Sequence, residues 1–344
     1  MKQVCCEGLK VHDDKITKKQ YETYLGDVIC SSGSNRKNIE KRTNCGVGAV
    51  SQILSTLSQV SLGHFHYEIA LIFRDSMLVS KLVFSSEVWY NVKNEQYSKL
   101  EEIDEMFMRK IFDLPKSAPQ IGLYAECGKI PIRYIIKTRR LLFYWHILHL
   151  DNKELLFKIY LAQKFKPGKN DWIMSVYKDM EEIGLKMTEE DIMKISKEKF
   201  KDIVQSKVNI CFRTYFLKKP GSKTANIKIQ DIFKPSSYMF SRKLNVEEIQ
   251  TLFKLRTRTI DVKNNQESSF KGDIWCRTCS LFPESQKHIF ECYEIIKQLM
   301  YLTFSEVKYE MIFGRLEEQE KFAKIYKIML STRSDIIKTC ISPS

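Results

Sequence analysis

The sequence feature that most constrains the fold is a run of metal-binding residue types with the spacing C-x2-C-x8-H-x3-C. It consists of Cys276, Cys279, His288 and Cys292. Two cysteines this close can bind one metal ion from a tight turn, and a His and a Cys four positions apart lie on one face of a helical turn. Three thiolates and one imidazole complete a tetrahedral site with no open position for water, which predicts structural zinc. The alternatives are a core histidine and a redox CxxC pair, but no βαβ pattern accompanies the pair.

The rest of the 344-residue chain has the pattern of a mainly α protein. Residues 1–30 predict a short N-terminal β-hairpin of half-buried strands, with a polar turn at about Asp13 to Lys15. Apolar residues from Ile39 to Val60 recur at a 3.6-residue spacing and predict a long helix. Further helices are predicted at 66–84, 97–113, 131–150, 152–165, 171–184, 188–195, 197–217, 246–257 and 294–330.

Nothing in the sequence predicts a membrane or secreted protein. No stretch approaches the roughly 20 uncharged apolar residues that a spanning helix needs. The first fifteen residues alternate in charge and lack the apolar segment of a secretory signal. We therefore expect an intracellular protein whose ten cysteines are reduced thiols or metal ligands, with no membrane partner.

Positive charge is concentrated in one part of the chain. The net charge is +14, and residues 201–258 hold thirteen basic residues against four acidic ones. Such a block favours a polyanionic partner, because neutralising phosphates releases condensed counterions. We expect phosphate contacts from Arg256 and Arg258, which end the block just before the Cys/His run. A lysine-rich surface that only contacts solvent is the alternative.

A second basic surface is predicted on the helix at 131–150. Arg133, Lys137 and Arg140 are spaced i, i+4 and i+7, so they lie on one helical face. This stripe has the spacing to follow a phosphate backbone, or it faces solvent without a partner.

Several motifs, in order along the chain, resemble the reverse transcriptases of non-LTR retrotransposons. They are YLGD at 24–27 with SSGSN at 31–35, GHF at 63–65 through FSSEVWYN at 84–91, IPIRYIIK at 130–137 with RRL at 139–141, and LRTR at 255–258 before the Cys/His run. The first resembles the end of the palm, the next two the thumb, and the last the zinc-knuckle region. This family synthesises cDNA on an RNA template and primes from a nick in chromosomal DNA. The resemblance therefore implies an RNA template and a DNA target or primer as partners, and location in the nucleus.

The chain also departs from the family pattern. The polymerase aspartates of the family lie in an aromatic-x-Asp-Asp turn some tens of residues before the YLGD motif. Asp13 and Asp14 lie too close to that motif and belong to the predicted turn, so we expect no catalytic residue in this chain. The chain alone is predicted to be inactive, with Mg bound only in a full-length polymerase and no small-molecule substrate.

Together these observations predict four units in a truncated polymerase chain. They are the end of a palm at 1–30, a helical thumb-like bundle at 31–165, a basic helical linker at 166–270, and a small Cys/His zinc element with C-terminal helices at 271–344. Two other functions fit the same residues: a stand-alone zinc-stabilised nucleic-acid-binding protein, and a helical interaction scaffold in which the charge is incidental.

Overall fold

A computed structural model describes residues 10–11, 14–15, 19–168, 171–218, 232–263, 274–299 and 306–341. These residues form a mainly helical fold that begins with short antiparallel β-pairs, so the predicted fold class is confirmed. Within these ranges, no helix has both the length and the apolar character needed to cross a bilayer.

The N-terminal β structure consists of two short antiparallel pairs. They are β1 (Lys10–Val11) with β2 (Asp14–Lys15), and β3 (Tyr21–Tyr24) with β4 (Asp27–Cys30). The longer hairpin turns at Leu25 and Gly26, whose φ angles of 46° and 90° are those of the tight turns that fit twisted strands. The predicted turn at Asp13 to Lys15 is therefore wrong for this hairpin. Asp14 instead pairs with Val11 across the shorter β-pair, and Asp13 lies outside the described residues.

Most predicted helices are present. In the first half of the chain they are α1 (Arg36–Gln59), α2 (His66–Phe73), α3 (Ser80–Leu82), α4 (Asn94–Ile111), α5 (Gln120–Cys127), α6 (Ile132–Leu148) and α7 (Leu155–Phe165). In the second half they are α8 (Trp172–Glu182), α9 (Glu189–Met193), α10 (Lys197–Lys218), α11 (Val246–Arg256), α12 (Gln286–Glu291), α13 (Tyr293–Gln298) and α14 (Leu316–Ile341). A π-helical segment, Arg74–Val79, joins α2 to α3, and 3-10 helices lie at Gly63–Phe65, Ser86–Val88, Ser237–Phe240 and Tyr309–Phe313.

Two stretches differ from the prediction. α5 lies in the proline-rich stretch that the sequence predicts as a break, and Pro119 occupies its N-cap position. Proline is tolerated there because the first N–H groups of a helix have no partner inside the helix. The helix predicted at 294–330 is replaced by α13 and α14, and α14 extends to Ile341.

α6 packs against α4, α7, α8, α9 and α10, and α1 packs against α3 and α4. The α6 side chains Ile136, Leu141 and Tyr144 are buried, and α1 buries Val50 and Ile53 in the same core. Each such apolar side chain contributes about 1.5–3 kcal/mol when fully buried. This packing fixes the orientation of α6 and, with it, the directions of Arg133, Lys137 and Arg140.

The core also contains a buried ion pair between the π-helical segment and α4. Arg74 donates Nε and Nη2 to the carboxylate of Asp104 at 2.8 and 2.6 Å, and the Tyr124 hydroxyl donates to the same carboxylate at 3.1 Å. Arg74 and Asp104 are 1% and 0% exposed. Removing either partner would leave a buried charge uncompensated, so this pair supports the position of α4 in the core.

The last helix, α14, positions the Cys/His run. It packs against α11, α12 and α13, and it buries Phe322, Tyr326 and Met329. The Tyr326 hydroxyl donates a hydrogen bond of 2.9 Å to the backbone carbonyl of Gln286, the first residue of α12. The segment that contains His288 and Cys292 therefore packs against the long helix α14.

Candidate metal centre and basic surfaces

The first two cysteines of the run lie in the turn of a small hairpin. Cys276 N donates to the Phe282 carbonyl at 2.8 Å, and Glu284 N donates to the Ile274 carbonyl at 2.8 Å. The chain reverses between these strands with Ser280 at φ 54°. The turn places the thiols of Cys276 and Cys279 on the same side as α12.

The other two ligands come from α12. Ser285 caps this helix by accepting a hydrogen bond from His288 N at 3.0 Å, and Cys292 directly follows its last residue. The ligand atoms of Cys276, Cys279, His288 and Cys292 all lie within 4.8 Å of one another. The distance from Cys279 Sγ to His288 Nε2 is 3.3 Å, close to the S···N edge of about 3.5 Å in a tetrahedral zinc site. The four residues predicted from the sequence therefore form a cluster that can hold a metal ion.

The Cys276 and Cys292 thiols of this cluster are coupled to one another. A side-chain hydrogen bond between Cys276 and Cys292 lowers the pKa of Cys276 to about 4 and raises the pKa of Cys292. The Thr278 hydroxyl lies 2.9 Å from Cys276 Sγ and 3.2 Å from Cys292 Sγ. This coupling favours the thiolate at Cys276 and the thiol at Cys292, whereas a metal ion requires thiolates at both.

Glu284 connects the Cys/His hairpin to α14. Its carboxylate accepts from Arg277 Nη2 at 2.7 Å, from Arg333 Nη2 at 2.9 Å and from Lys263 N at 3.1 Å. Burial raises the pKa of Glu284, but the hydrogen bonds from Arg277 and Arg333 outweigh burial and lower it to about 2. The buried carboxylate therefore stays ionised and fixes the hairpin to the last helix.

The three cations predicted on α6 are all paired with carboxylates. The pairs are Arg133 with Glu101, Lys137 with Glu182, and Arg140 with Asp179. Lys137 and Arg140 are 6% and 1% exposed, and burial lowers the pKa of Lys137. The expected outward stripe is thus not formed by Lys137 and Arg140, because their carboxylate partners hold them inside the bundle.

Arg256 is also buried. It is 4% exposed, it donates Nε to both carboxylate oxygens of Glu126 at 2.8 and 3.0 Å, and it donates Nη1 to the Ile312 carbonyl at 3.0 Å. Ser236 and Tyr238 donate their hydroxyls to the same carboxylate at 2.6 and 2.9 Å. This geometry gives Arg256 a role in the core, where a nucleic-acid phosphate does not reach it.

Arg258 has a different environment from Arg256. It is half-buried, in a left-handed backbone conformation with φ 54°, and no carboxylate in the described ranges forms an ion pair with it.

α10 carries exposed basic residues at and just before the start of the positive block 201–258, spread around the helix axis together with the exposed Glu198 and Asp202. Its basic residues are Lys197, Lys199, Lys201, Lys207, Arg213 and Lys218, all exposed except the half-buried Lys207. None of them forms an ion pair within the parts of the chain that the structure describes. The sequence contains the signal for this surface, because residues 203–218 include three basic residues and no acidic one.

The Cys/His hairpin also exposes apolar side chains. Leu281 and Phe282 are 69% and 59% exposed, and the Phe282 ring lies 5.5 Å from the His288 ring. Tyr293, which follows the last cysteine, is 67% exposed. The exposed rings of Phe282 and Tyr293, beside the Cys/His cluster, form a surface on which flat ligands can stack.

No protein-family model, curated protein or solved structure matches this chain. Its function is therefore inferred from the chain's own residues: the Cys/His cluster, the basic residues of α10 and the exposed rings beside the cluster.

Proposed function

We propose that this chain is the nucleic-acid-binding C-terminal part of a non-LTR retrotransposon reverse transcriptase. The helices around α6 would serve as the thumb that holds the template–primer duplex, and the Cys/His element would contact template RNA or target DNA. The motifs that resemble this family support the assignment. The catalytic aspartates and their Mg ions would belong to a fingers–palm part, and this chain would supply binding.

The observation that carries the proposal is the unpaired positive charge along α10. This helix has 22 residues and is therefore about 33 Å long. One strand of a duplex carries about ten phosphates over that length. Lys199 and Arg213 are fourteen residues apart and lie within about 40° of one another around the helix axis. They can therefore contact the same backbone at two places, with the exposed carboxylate of Asp202 on the same face three residues after Lys199.

The metal in the Cys/His cluster is proposed to be zinc with a structural role. Cys276, Cys279, His288 and Cys292 would hold it as three thiolates and one imidazole. Four protein ligands leave no coordination position for water, so the metal would fix the hairpin against α12 without activating a substrate. This would also fix the exposed ring of Phe282, which is suited to stacking on an unpaired base.

The salt dependence of binding tests the proposal. We expect the protein to bind an RNA–DNA hybrid with a steep dependence of log K on log salt. The double variant Lys199→Gln, Arg213→Gln should lower the slope by about 0.7–0.9 for each lost phosphate contact, with little change in sequence preference. The matched control is Lys153→Gln, Lys158→Gln, which removes two exposed lysines at and beside α7.

The same titration separates the proposed function from a helical scaffold. If the α10 variant and the control bind alike at every salt concentration, α10 is not the interface. If the parent shows no salt-dependent binding at all, the scaffold is the better assignment. Complementation by a separately expressed fingers–palm fragment then separates a polymerase part from a stand-alone nucleic-acid-binding protein. Only a polymerase part restores primer extension.

A further inference from the structure

A cleft of about 270 Å³ lies beside α6 and is lined by residues of α4, α6, α8 and α10. Its walls include Tyr97 of α4, Arg133, Lys137 and Arg140 of α6, and Lys178 of α8. The cations of the predicted stripe therefore converge on one enclosed space. Such a space suits a small ligand better than a nucleic-acid backbone.

The charges at this cleft do not cancel. Three cations, Lys137, Arg140 and Lys178, face two carboxylates, Asp179 and Glu182. Arg140 pairs with Asp179. Lys137 and Lys178 both pair with Glu182, and the distance from Lys178 Nζ to the Glu182 carboxylate is 3.9 Å. One positive charge is left over, and it lies at the opening of the cleft, where the side chain of Lys178 is 70% exposed.

The remaining cation, Arg133, does not alter this balance. Its guanidinium is neutralised by Glu101 through two hydrogen bonds of 2.7 Å. The carboxylate of Glu101 is itself buried. The surplus charge thus lies on the side of the cleft formed by α8 and the middle of α6.

A buried hydrogen-bond donor in the cleft wall also lacks a well-placed acceptor. Arg140 donates Nε to the Trp89 carbonyl at 2.9 Å and Nη1 to Asp179. Its third nitrogen, Nη2, is buried and forms no hydrogen bond of normal geometry among the described residues, and the Tyr97 hydroxyl, which also lines the cleft, interacts with the same guanidinium. Leaving a buried donor unpaired costs about 1–3 kcal/mol, and more for a charged group, so an acceptor is expected at this position.

We propose that this cleft binds a phosphate group, with Arg140 and Lys137 donating from α6 and Lys178 closing the outer side. A phosphate supplies two things that the cleft lacks. They are a negative charge and an oxygen acceptor for Arg140 Nη2. Its several oxygens can accept from donors on two helices at once. The inference does not depend on the proposed nucleic-acid function, because a free phosphate or a phosphorylated small molecule carries the same group.

Titration of the full chain with inorganic phosphate tests the site, with binding followed by calorimetry. We expect saturable binding of one phosphate. Lys178→Gln should weaken binding about three- to tenfold, and Lys178→Arg should restore it. Lys178 is 70% exposed along its side chain, so neither variant should disturb the fold. Lys186→Gln, which removes another exposed lysine outside the cleft, is the control and should bind like the parent.

A second arm identifies the source of the phosphate. Oligonucleotides with a 5′-phosphate or a 5′-hydroxyl are compared against the parent and Lys178→Gln. A preference for the 5′-phosphate that Lys178→Gln removes would assign the cleft to a nucleic-acid end. Equal binding of both ends, together with Lys178-dependent binding of inorganic phosphate, would assign it to a small phosphorylated molecule.

Two results would overturn the proposal. One is the absence of saturable phosphate binding at millimolar concentration. The other is equal weakening by Lys178→Gln and Lys186→Gln, which would mean that phosphate is attracted only by the overall positive charge. Because the titration uses no nucleic acid, neither result bears on the function proposed for α10.

Discussion

Replacing Glu284 by Gln removes one buried charge and keeps the shape of the side chain. In the parent protein this carboxylate accepts hydrogen bonds from Arg277, Arg333 and the backbone N–H of Lys263. The variant would leave Arg333, whose side chain is 9% exposed, without its counter-charge. We therefore expect the hairpin that carries Cys276 and Cys279 to detach more readily from α14.

The size of the effect follows from the pKa of Glu284. That pKa is about 2, compared with 4.5 for an ordinary glutamate. A difference of this size corresponds to about 3 kcal/mol of stability at neutral pH. Because the folded-state pKa is the lower one, this contribution is fully present above about pH 4.5 and is lost as the pH falls toward 2.

Urea unfolding at pH 7 measures the loss directly. Free zinc is buffered at one concentration throughout, because metal binding adds to the free energy of unfolding. Glu284→Gln should lower the free energy of unfolding by about 3 kcal/mol. Glu291→Gln removes an exposed carboxylate that pairs with Lys287 at 3.6 Å, and it should cost less than about 1 kcal/mol. If both variants lose the same small amount, Glu284 does not hold the hairpin to α14.

Three further predictions concern the metal, the chemistry and the core. Purified protein should contain one zinc per chain and Cys279→Ser should not, as metal analysis would show; a parent chain without zinc would contradict the site. Primer extension on RNA should be absent with Mg or Mn, and extension that disappears in Asp13→Ala, Asp14→Ala would show that these two aspartates are catalytic. Arg256→Ala should lower the free energy of unfolding by about 3–5 kcal/mol in thermal unfolding, because it leaves the buried Glu126 without its counter-charge. Unchanged stability would make Arg256 a candidate phosphate contact again.

The Cys/His cluster could be predicted from the sequence because its four residues lie within seventeen consecutive positions. The spacing alone fixes which side chains can meet, since a tight turn and one helical turn are local structures. The α10 surface had a partial signal in the sequence: Lys207, Arg213 and Lys218 lie in the stretch 203–218, which has no acidic residue, whereas Lys197, Lys199 and Lys201 lie beside Glu198 and Asp202.

The roles of the α6 cations could not be predicted in the same way. Glu101 lies 32 residues before Arg133, and Glu182 lies 45 residues after Lys137, so these pairs exist only through tertiary packing.

The sequence held a partial signal for a different buried pair, the one between Asp104 of α4 and Arg74. Asp104 lies four residues after Leu100 and three before Phe107, which places a charge on the apolar face and predicts a buried partner.

The hairpin position was missed for a local reason. The Asp13-Asp14 pair suggested the turn, but Leu25 and Gly26 adopt the two positive φ angles that a two-residue turn between β3 and β4 requires. Glycine takes such an angle without strain, so Gly26 was the better indicator of the turn.

The contacts of Arg256 have a consequence for how the molecule unfolds. Its charge is balanced by Glu126, more than a hundred residues earlier, and its Nη1 donates to Ile312, more than fifty residues later. The predicted boundaries at 165 and 270 separate these three residues, so opening any one part exposes a buried charge in another. We therefore expect the backbone amides of α5 and α11 to exchange with deuterium through one shared global opening, with equal free energies of exchange.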